Sequence, residues 1–233
     1  MKIALIGYGK MGKTIERLAI DKGHKIVYKS TADWKEGSLK DAEVAIEFST
    51  PDSVFKNLKD CFDLGIPVVC GTTGWLDSYE EITQICNQKK GAFLYASNFS
   101  LGVNIFFHIN KVLAKAIESF PEYKVKIEET HHIEKLDAPS GTAISLAKDI
   151  LPFRDKSHWS LNKETEDSIP IYAYRESEVK GTHTVTYPSE IDTLSIRHEA
   201  HSREGFAQGA ILAATWLKDK EGVYNMNDVL QLK

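Results

Sequence analysis

Short apolar runs and helix-spaced apolar positions alternate over the first hundred residues. Lys2–Ile6 is a continuous apolar run of strand length, and from Met11 apolar residues recur at Ile15, Leu18 and Ala19, one face of a helix. Gly23 stops that helix and Lys25–Tyr28 reads as the next strand. Val44–Phe48, Val68–Cys70 and Ala92–Ala96 are further strands. Val54, Leu58, Cys61 and Phe62 mark one intervening helix face, and Asp77–Lys89 a second helix. Alternation of this kind predicts a parallel sheet wrapped on both sides by helices.

The pattern changes after Ser97-Asn98-Phe99-Ser100. Leu101–Ser119 has helical spacing, and Tyr123, Val125 and Ile127 then alternate with polar residues as in a half-buried strand. Thr142–Leu151 reads as a short helix and Arg154–Asp167 as a polar surface loop. Ile169–Arg175, Val179–Tyr187 and Ile191–His198 follow as strands, Gly205–Lys218 as a final helix, and Met226–Leu232 as a short tail. The fold class expected is α/β: a Rossmann-type parallel-sheet domain followed by a smaller α+β domain with a mixed sheet.

Composition narrows the setting without changing that picture. With 233 residues and 42% hydrophobic content, one large domain or two modest ones can bury a core of ordinary size. The formal charge of −4 speaks against a general nucleic-acid or membrane-surface binder. Apolar runs fall short of the roughly 20 residues that cross a bilayer, and Ile3–Gly7 is too short for a signal peptide, so a cytoplasmic protein is expected. Cys61, Cys70 and Cys86 lack CxxC spacing and read as reduced, buried thiols.

Gly7-Tyr8-Gly9-Lys10-Met11-Gly12 fits G-x-G-x-x-G between a strand and a helix, the context a dinucleotide site requires. The first glycine permits the turn, the second lets backbone approach a pyrophosphate, and the third allows close helix–strand packing. The helix opening at Lys10-Met11 then faces the phosphates with unpaired N–H groups. At the end of the second strand, where an acidic residue would favour NAD, stand Lys29, Ser30 and Thr31. A lysine suits a 2′-phosphate, so the expectation leans to NADPH, with Asp33 keeping NADH open. Gly71-Thr72-Thr73-Gly74 and Ser97-Asn98-Phe99 lie at the next strand ends, where ribose or nicotinamide contacts fall in such sheets.

The densest chemistry lies in Glu128–Ala143, which holds His131, His132, Lys135 and the turn Ser140-Gly141-Thr142. Histidine suits proton transfer near neutral pH, and two in succession after a strand point in opposite directions. Lys135 adds a fixed charge. Ser140-Gly141-Thr142 opens a helix whose first N–H groups form an anion site. A metal site is not expected, because no third ligand follows at a convincing spacing. His183 and His198 sit in strand patterns and read as satisfied structural histidines.

Gly7–Gly12, Gly71–Gly74, Ala96–Ser100, His131–Thr142, Gly181-Thr182-His183-Thr184 and Tyr224–Leu230, in that order, resemble the dihydrodipicolinate reductase family over nearly the whole chain. The resemblance implies reduction of a cyclic, unsaturated imine with two carboxylates, in lysine and diaminopimelate synthesis. It implies His131 as acid/base, Lys135 as catalytic lysine, His132 as a substrate contact, and Ser140, Gly141 and Thr142 as the carboxylate turn. It further implies a dinucleotide-binding domain over 1–100 completed by 206–233, a substrate-binding and oligomerisation domain over 101–205, closure of the two over substrate, and a homotetramer. Ile133 stands where members often carry a basic residue, and Glu134 adds a negative charge there. Arg203 is a candidate second carboxylate or hinge contact. Two competing readings are an amino-acid dehydrogenase of similar domain order and a non-catalytic nucleotide sensor; His131 and Lys135 speak against the sensor.

Overall fold

The structure, a computed structural model, describes residues 1–202 and 204–232. The chain forms two compact units, one of residues 1–101 with 204–233 and one of residues 102–203.

In the first unit, β1 (Lys2–Ile6), β2 (Lys25–Ser30), β3 (Lys35–Gly37), β4 (Val44–Glu47), β5 (Val68–Cys70), β6 (Ala92–Tyr95) and β12 (Gly222–Tyr224) form one sheet in the order β12-β6-β5-β4-β1-β2-β3. All neighbours pair in parallel except β3, which returns antiparallel along β2. Helices α1 (Lys10–Asp21), α2 (Pro51–Asp63) and α3 (Tyr79–Gln88) are the crossovers, joined by α6 (Glu204–Leu217) and α7 (Met226–Leu230). One face of the sheet packs Ile3, Leu5 and Ile46 against Ile15 of α1 and Ala210 and Ile211 of α6. The other packs Ala4, Val68 and Phe93 against Leu58 of α2 and Ile82 of α3. Strands buried on both sides read as unbroken apolar runs, which is why β1 and β4 are so plain in the sequence. Each fully buried Leu, Ile or Phe here contributes roughly 1.5–3 kcal/mol.

The second unit holds β7 (Lys126–His131), β8 (His158–Leu161), β9 (Ser168–Arg175), β10 (Thr182–Pro188) and β11 (Thr193–Glu199) in the order β11-β10-β7-β9-β8. Here β10 runs antiparallel to both neighbours, whereas β7, β9 and β8 are mutually parallel. Ile127, Ile171 and Val185 face Phe106 and Ala114 of α4 (Leu101–Ala116) and Leu146 and Ile150 of α5 (Gly141–Ile150).

Three sequence expectations need correction. The polar loop expected over 154–167 contains β8, an edge strand paired only with β9, whose exposure lets it be polar. The strand expected around Tyr123 starts at Lys126 and runs on to His131, so the first histidine ends the strand rather than following it. The tail at Met226–Leu232 opens as a capped helix, α7, and an edge strand, β12, precedes it.

Candidate active site

In the nucleotide-type unit, the three glycines of Gly7–Gly12 meet three different steric demands. Gly7 has φ +92° and its backbone lies so near Phe48 that an added Cβ would sit 1.9 Å from that carbonyl oxygen. At Gly12 a Cβ would sit 2.6 Å from the Gly7 oxygen, which fixes the close approach of α1 to the turn. A Cβ on Gly9 would meet no atom within 4 Å, so the backbone there is open to a ligand. Gly9 is the N-cap of α1 and offers no side-chain cap, and no acidic residue stands in the first turn. The helix end at Lys10 and Met11 therefore presents N–H donors and partial positive charge, a fit for a pyrophosphate. A cavity beside it is lined by Gly7, Tyr8, Ser30, Thr31, Ser49 and Thr50.

Lys29 does not stand alone. Its ammonium is 3.3 Å from Glu16 and 3.4 Å from Glu36, and lies 5.1 Å from the centre of the Tyr8 ring. Desolvation works against its charge, but the two carboxylates win and hold its pKa above the ordinary lysine value. A 2′-phosphate would have to compete with both.

The loops after β4 and β5 are tied to one carboxylate that the sequence reading passed over. Glu47, at the end of β4, has no exposed surface. Its Oε1 accepts from Ser49 Oγ, from the Ser49 N–H at 3.2 Å and from Asn57 Nδ2 at 3.2 Å; its Oε2 accepts from Thr72 Oγ1 at 2.6 Å. Thr72 is thus buried and inward-facing, and Thr73 is the exposed hydroxyl of the Gly71–Gly74 turn. Phe99 is also buried, packed on Phe48 with ring centres 5.7 Å apart, while Ser97 is exposed and Asn98 Oδ1 accepts from the Ser100 N–H at 2.8 Å.

In the second unit, the alternation along β7 places Ile127, Glu129 and His131 on the helix-facing side. Glu129 is 1% exposed and His131 8% exposed, both at positions where the period-2 pattern calls for apolar residues. Glu129 Oε1 accepts from the Ser140 N–H at 2.9 Å and faces Arg175 Nη1 at 3.8 Å. Glu129 Oε2 lies 3.6 Å from His131 Nδ1 and 3.5 Å from His183 Nε2. Burial works to raise the Glu129 pKa, but the nearby His183 ring and the Ser140 N–H outweigh it and bring the carboxyl down to about 2. Burial, and after it the charge of His183, lowers the His131 imidazole to about 4. The site at rest is an ionised carboxylate beside a neutral imidazole.

Ser140 is buried and caps α5, its Oγ accepting from the Ala143 N–H at 3.2 Å and meeting His183 Nε2 at 3.0 Å. Its side chain is therefore engaged inside the unit. Gly141, exposed, and Thr142, half-buried, open the helix beyond it, where main-chain N–H groups are available to an anion. Lys135 Nζ donates to both oxygens of Asp137 at 2.7 Å, which holds that carboxyl below its ordinary pKa. Arg175, at the end of β9, donates to the Lys135 carbonyl at 3.2 Å and the Asp137 carbonyl at 2.6 Å, pinning the lysine's loop. His132 is half-buried, whereas Ile133 and Glu134 are exposed. Arg203 and Lys233 lie outside the described residues.

The sequence reading did not single out Glu129, Arg175 or Glu47. The signal present for Glu129 was a charged residue at a core-facing step of Val125-Ile127-Glu129-His131. Glu129, His131 and His183 also bring three ligand-type atoms within 4.8 Å of one another. Ser140 and the Arg175 guanidinium already occupy the other side of that carboxylate, and a cation beside Arg175 would be opposed by its charge.

Comparison with known proteins agrees with this layout. Residues 1–99 match the model for the dihydrodipicolinate reductase N-terminus and residues 102–230 the model for its C-terminus. The chain is 54% identical over 233 residues to a 4-hydroxy-tetrahydrodipicolinate reductase of Christiangramia forsetii, covering 99% of this chain and 98% of the relative. A reductase of the same name from Staphylococcus epidermidis is 35% identical over 246 residues, covering 98% of this chain and all of the relative. Among solved structures, a dipicolinate-bound dihydrodipicolinate reductase from Paenisporosarcina sp. TG-14 shares the fold with a TM-score of 0.80 at 23% identity, covering 97% of each chain. With both halves matched in order and a relative above half identity across its whole length, this chain belongs to the dihydrodipicolinate reductase family.

Proposed function

We propose that this chain uses a reduced nicotinamide dinucleotide to convert the cyclic dicarboxylate imine derived from 4-hydroxy-tetrahydrodipicolinate into tetrahydrodipicolinate, a step of lysine and diaminopimelate synthesis. The observation that carries the reading is the buried Glu129 carboxylate joining His131 to the Ser140-capped head of α5. A proton-transfer group and an anion site are thereby built as one piece.

The first unit is the dinucleotide-binding domain, with contacts at Gly7, Gly9, Lys10, Met11 and Gly12, at Gly71–Thr73, and at Ser97–Phe99. When bound there, the reduced nicotinamide would supply a hydride to the conjugated ring carbon. The second unit binds substrate: Gly141 and Thr142 donate main-chain N–H groups to one carboxylate, Ser140 fixes that turn, and His132 lies alongside. Lys135, held by Asp137 and by Arg175 through its carbonyl, stabilises the substrate's negative charge. His131, neutral at rest, takes up a solvent proton on its free ring nitrogen and passes it to the electron-rich ring left by hydride addition. The hydride and one proton together complete the reduction of one double bond.

Both NADH and NADPH serve in this reading. Because Lys29 is shared between Glu16 and Glu36, the NADPH preference that a lone lysine would confer is reduced. The chain assembles as a homotetramer, supported by the sheet face turned away from α4 and α5. That face carries Glu128, Tyr172, Tyr174, Thr184 and Thr186, a flat, hydrogen-bonding surface suited to a like copy. Among the described residues no helix is long and apolar enough to cross a membrane, and the cytoplasm is the proposed location.

The test is oxidation of NADPH and NADH in parallel with freshly condensed pyruvate and aspartate semialdehyde. Substrate-dependent oxidation is expected with both, and Lys29→Ala raises the KM for NADPH alone. Protein that binds cofactor but shows no substrate-dependent oxidation refutes the reading.

A further inference from the structure

Two buried polar atoms at this site face each other with no hydrogen bond of their own, His131 Nδ1 and Glu129 Oε2, 3.6 Å apart. Burying either without a partner costs about 1–3 kcal/mol, so the arrangement calls for a proton between them. A carboxylate can only accept. His183 Nε2, 3.5 Å from the same oxygen, has Ser140 Oγ as a nearer partner at 3.0 Å, so a proton on His131 Nδ1 is the placement that satisfies both buried atoms, and it leaves Nε2 with the lone pair. The opposite ring edge fits this: Nε2 faces Gly181, where an added Cβ would sit 3.2 Å away. The His183 ring stands edge-on to His131, with centres 5.1 Å apart, and limits its rotation.

We infer that Glu129 is a positioning residue for the proton-transfer step, holding His131 in the Nδ1–H tautomer and balancing the charge when Nε2 takes a proton. The inference rests on the reading of His131 as the group that moves that proton. Other charged or titratable groups around the ring are His183 from β10, Arg175 from β9 and Lys135 from the loop after β7. All three disfavour a cationic imidazole, and Glu129 is the one group of this set that favours it. The same carboxylate takes the Ser140 N–H and lies beside Arg175, which in turn grips the Lys135 loop. One side chain thus sets the spacing of the proton carrier, the anion turn and the lysine. An orienting carboxylate behind an imidazole fixes the tautomer and supports the imidazolium in the same way in other acid–base sites.

The experiment is ¹H–¹⁵N correlation of histidine ring nitrogens in the full-length wild type, Glu129→Gln and His131→Gln, the last to assign the signals, alongside steady-state kinetics. Wild type should show a protonated Nδ1 and bare Nε2 for His131 at neutral pH. Glu129→Gln can donate from its amide to Nδ1, so the Nε2–H form should appear. Its kcat should fall on the order of 100-fold, with the cofactor KM changed less than about twofold, as loss of proton-transfer geometry predicts. A wild-type His131 already in the Nε2–H form would overturn the inference without any variant. A tautomer that switches in Glu129→Gln with unchanged kcat would instead remove His131 from the reaction, and with it the role given to Glu129. Equal losses in kcat and in cofactor affinity, with the tautomer unmoved, would reduce Glu129 to a structural carboxylate.

Discussion

Acidification should weaken the protein through His131 in a measurable way. The imidazole titrates near 6.5 in an unfolded chain but is held down to about 4 in the native one, chiefly by burial, its side chain being 11% exposed. A native pKa below the unfolded one means that protons bind the unfolded state first. Above pH 6.5 the group is neutral in both states and contributes nothing; from 6.5 down to 4 it increasingly favours unfolding. At pH 5 roughly 97% of unfolded and 9% of native imidazoles are protonated, a difference worth about 2 kcal/mol. Glu129, depressed to about 2, stays ionised in the native state throughout this window; its own loss begins as the unfolded carboxyl protonates near pH 4.5 and is complete near 2, so it adds little at pH 5. The assay is urea unfolding followed by circular dichroism at a fixed protein concentration, at pH 7 and pH 5, for wild type and His131→Gln. The variant carries its own packing offset, but that offset does not titrate. The pH 7-to-5 loss should therefore be about 2 kcal/mol larger in wild type. Equal losses in the two proteins would show that the imidazole is not desolvated as its surroundings imply.

Gly209→Ala on α6 would put a Cβ 1.7 Å from the Phe99 carbonyl oxygen; backbone must move, and a loss of roughly 3 kcal/mol or more is expected in thermal unfolding, against the small gain alanine brings in an open helix. Arg175→Lys keeps the charge but cannot bridge the Lys135 and Asp137 carbonyls, so kcat should fall about tenfold or more with cofactor binding unchanged by fluorescence titration. Cys61, Cys70 and Cys86 are all buried, and burial pushes each thiol upward, Cys86 to about 11. The folded protein should leave a thiol reagent at neutral pH nearly unconsumed, and three equivalents should react only after denaturant is added.

The sequence displays most clearly those parts whose physics is local or strictly periodic. The β1 run, the Gly7–Gly12 turn and the α1 face are legible because burial on both sheet faces and the 3.6-residue repeat leave direct marks. β3, three exposed residues long, carries no apolar mark because it lies at the sheet edge. β8 was hidden for the same reason. In the site, the chemistry of His131, Lys135 and Ser140 is visible as residue type. What organises them is not, since Glu129 meets Arg175 and His183 across strands far apart in the chain. Glu47 is the parallel case, its partner Thr72 coming from the next strand's loop. Both carboxylates stand in core-facing strand positions, and that misfit with the apolar pattern is the trace they leave.

The nucleotide-type unit is closed by residues from both ends of the chain. Ala207, Ala210, Ile211 and Ala214 of α6 are buried against β4 and β5, and β12 forms the sheet's edge beside β6. During synthesis this reverses the usual order in which an amino-terminal domain finishes first. The unit of residues 102–203 is continuous and can complete its own core as soon as it emerges. The first hundred residues must wait, with one apolar sheet face covered only in part by α1, until α6 has been made. A released chain ending after Ser202 should therefore yield a protease-resistant second unit and a first unit that depends on chaperones, although its glycine turn is complete.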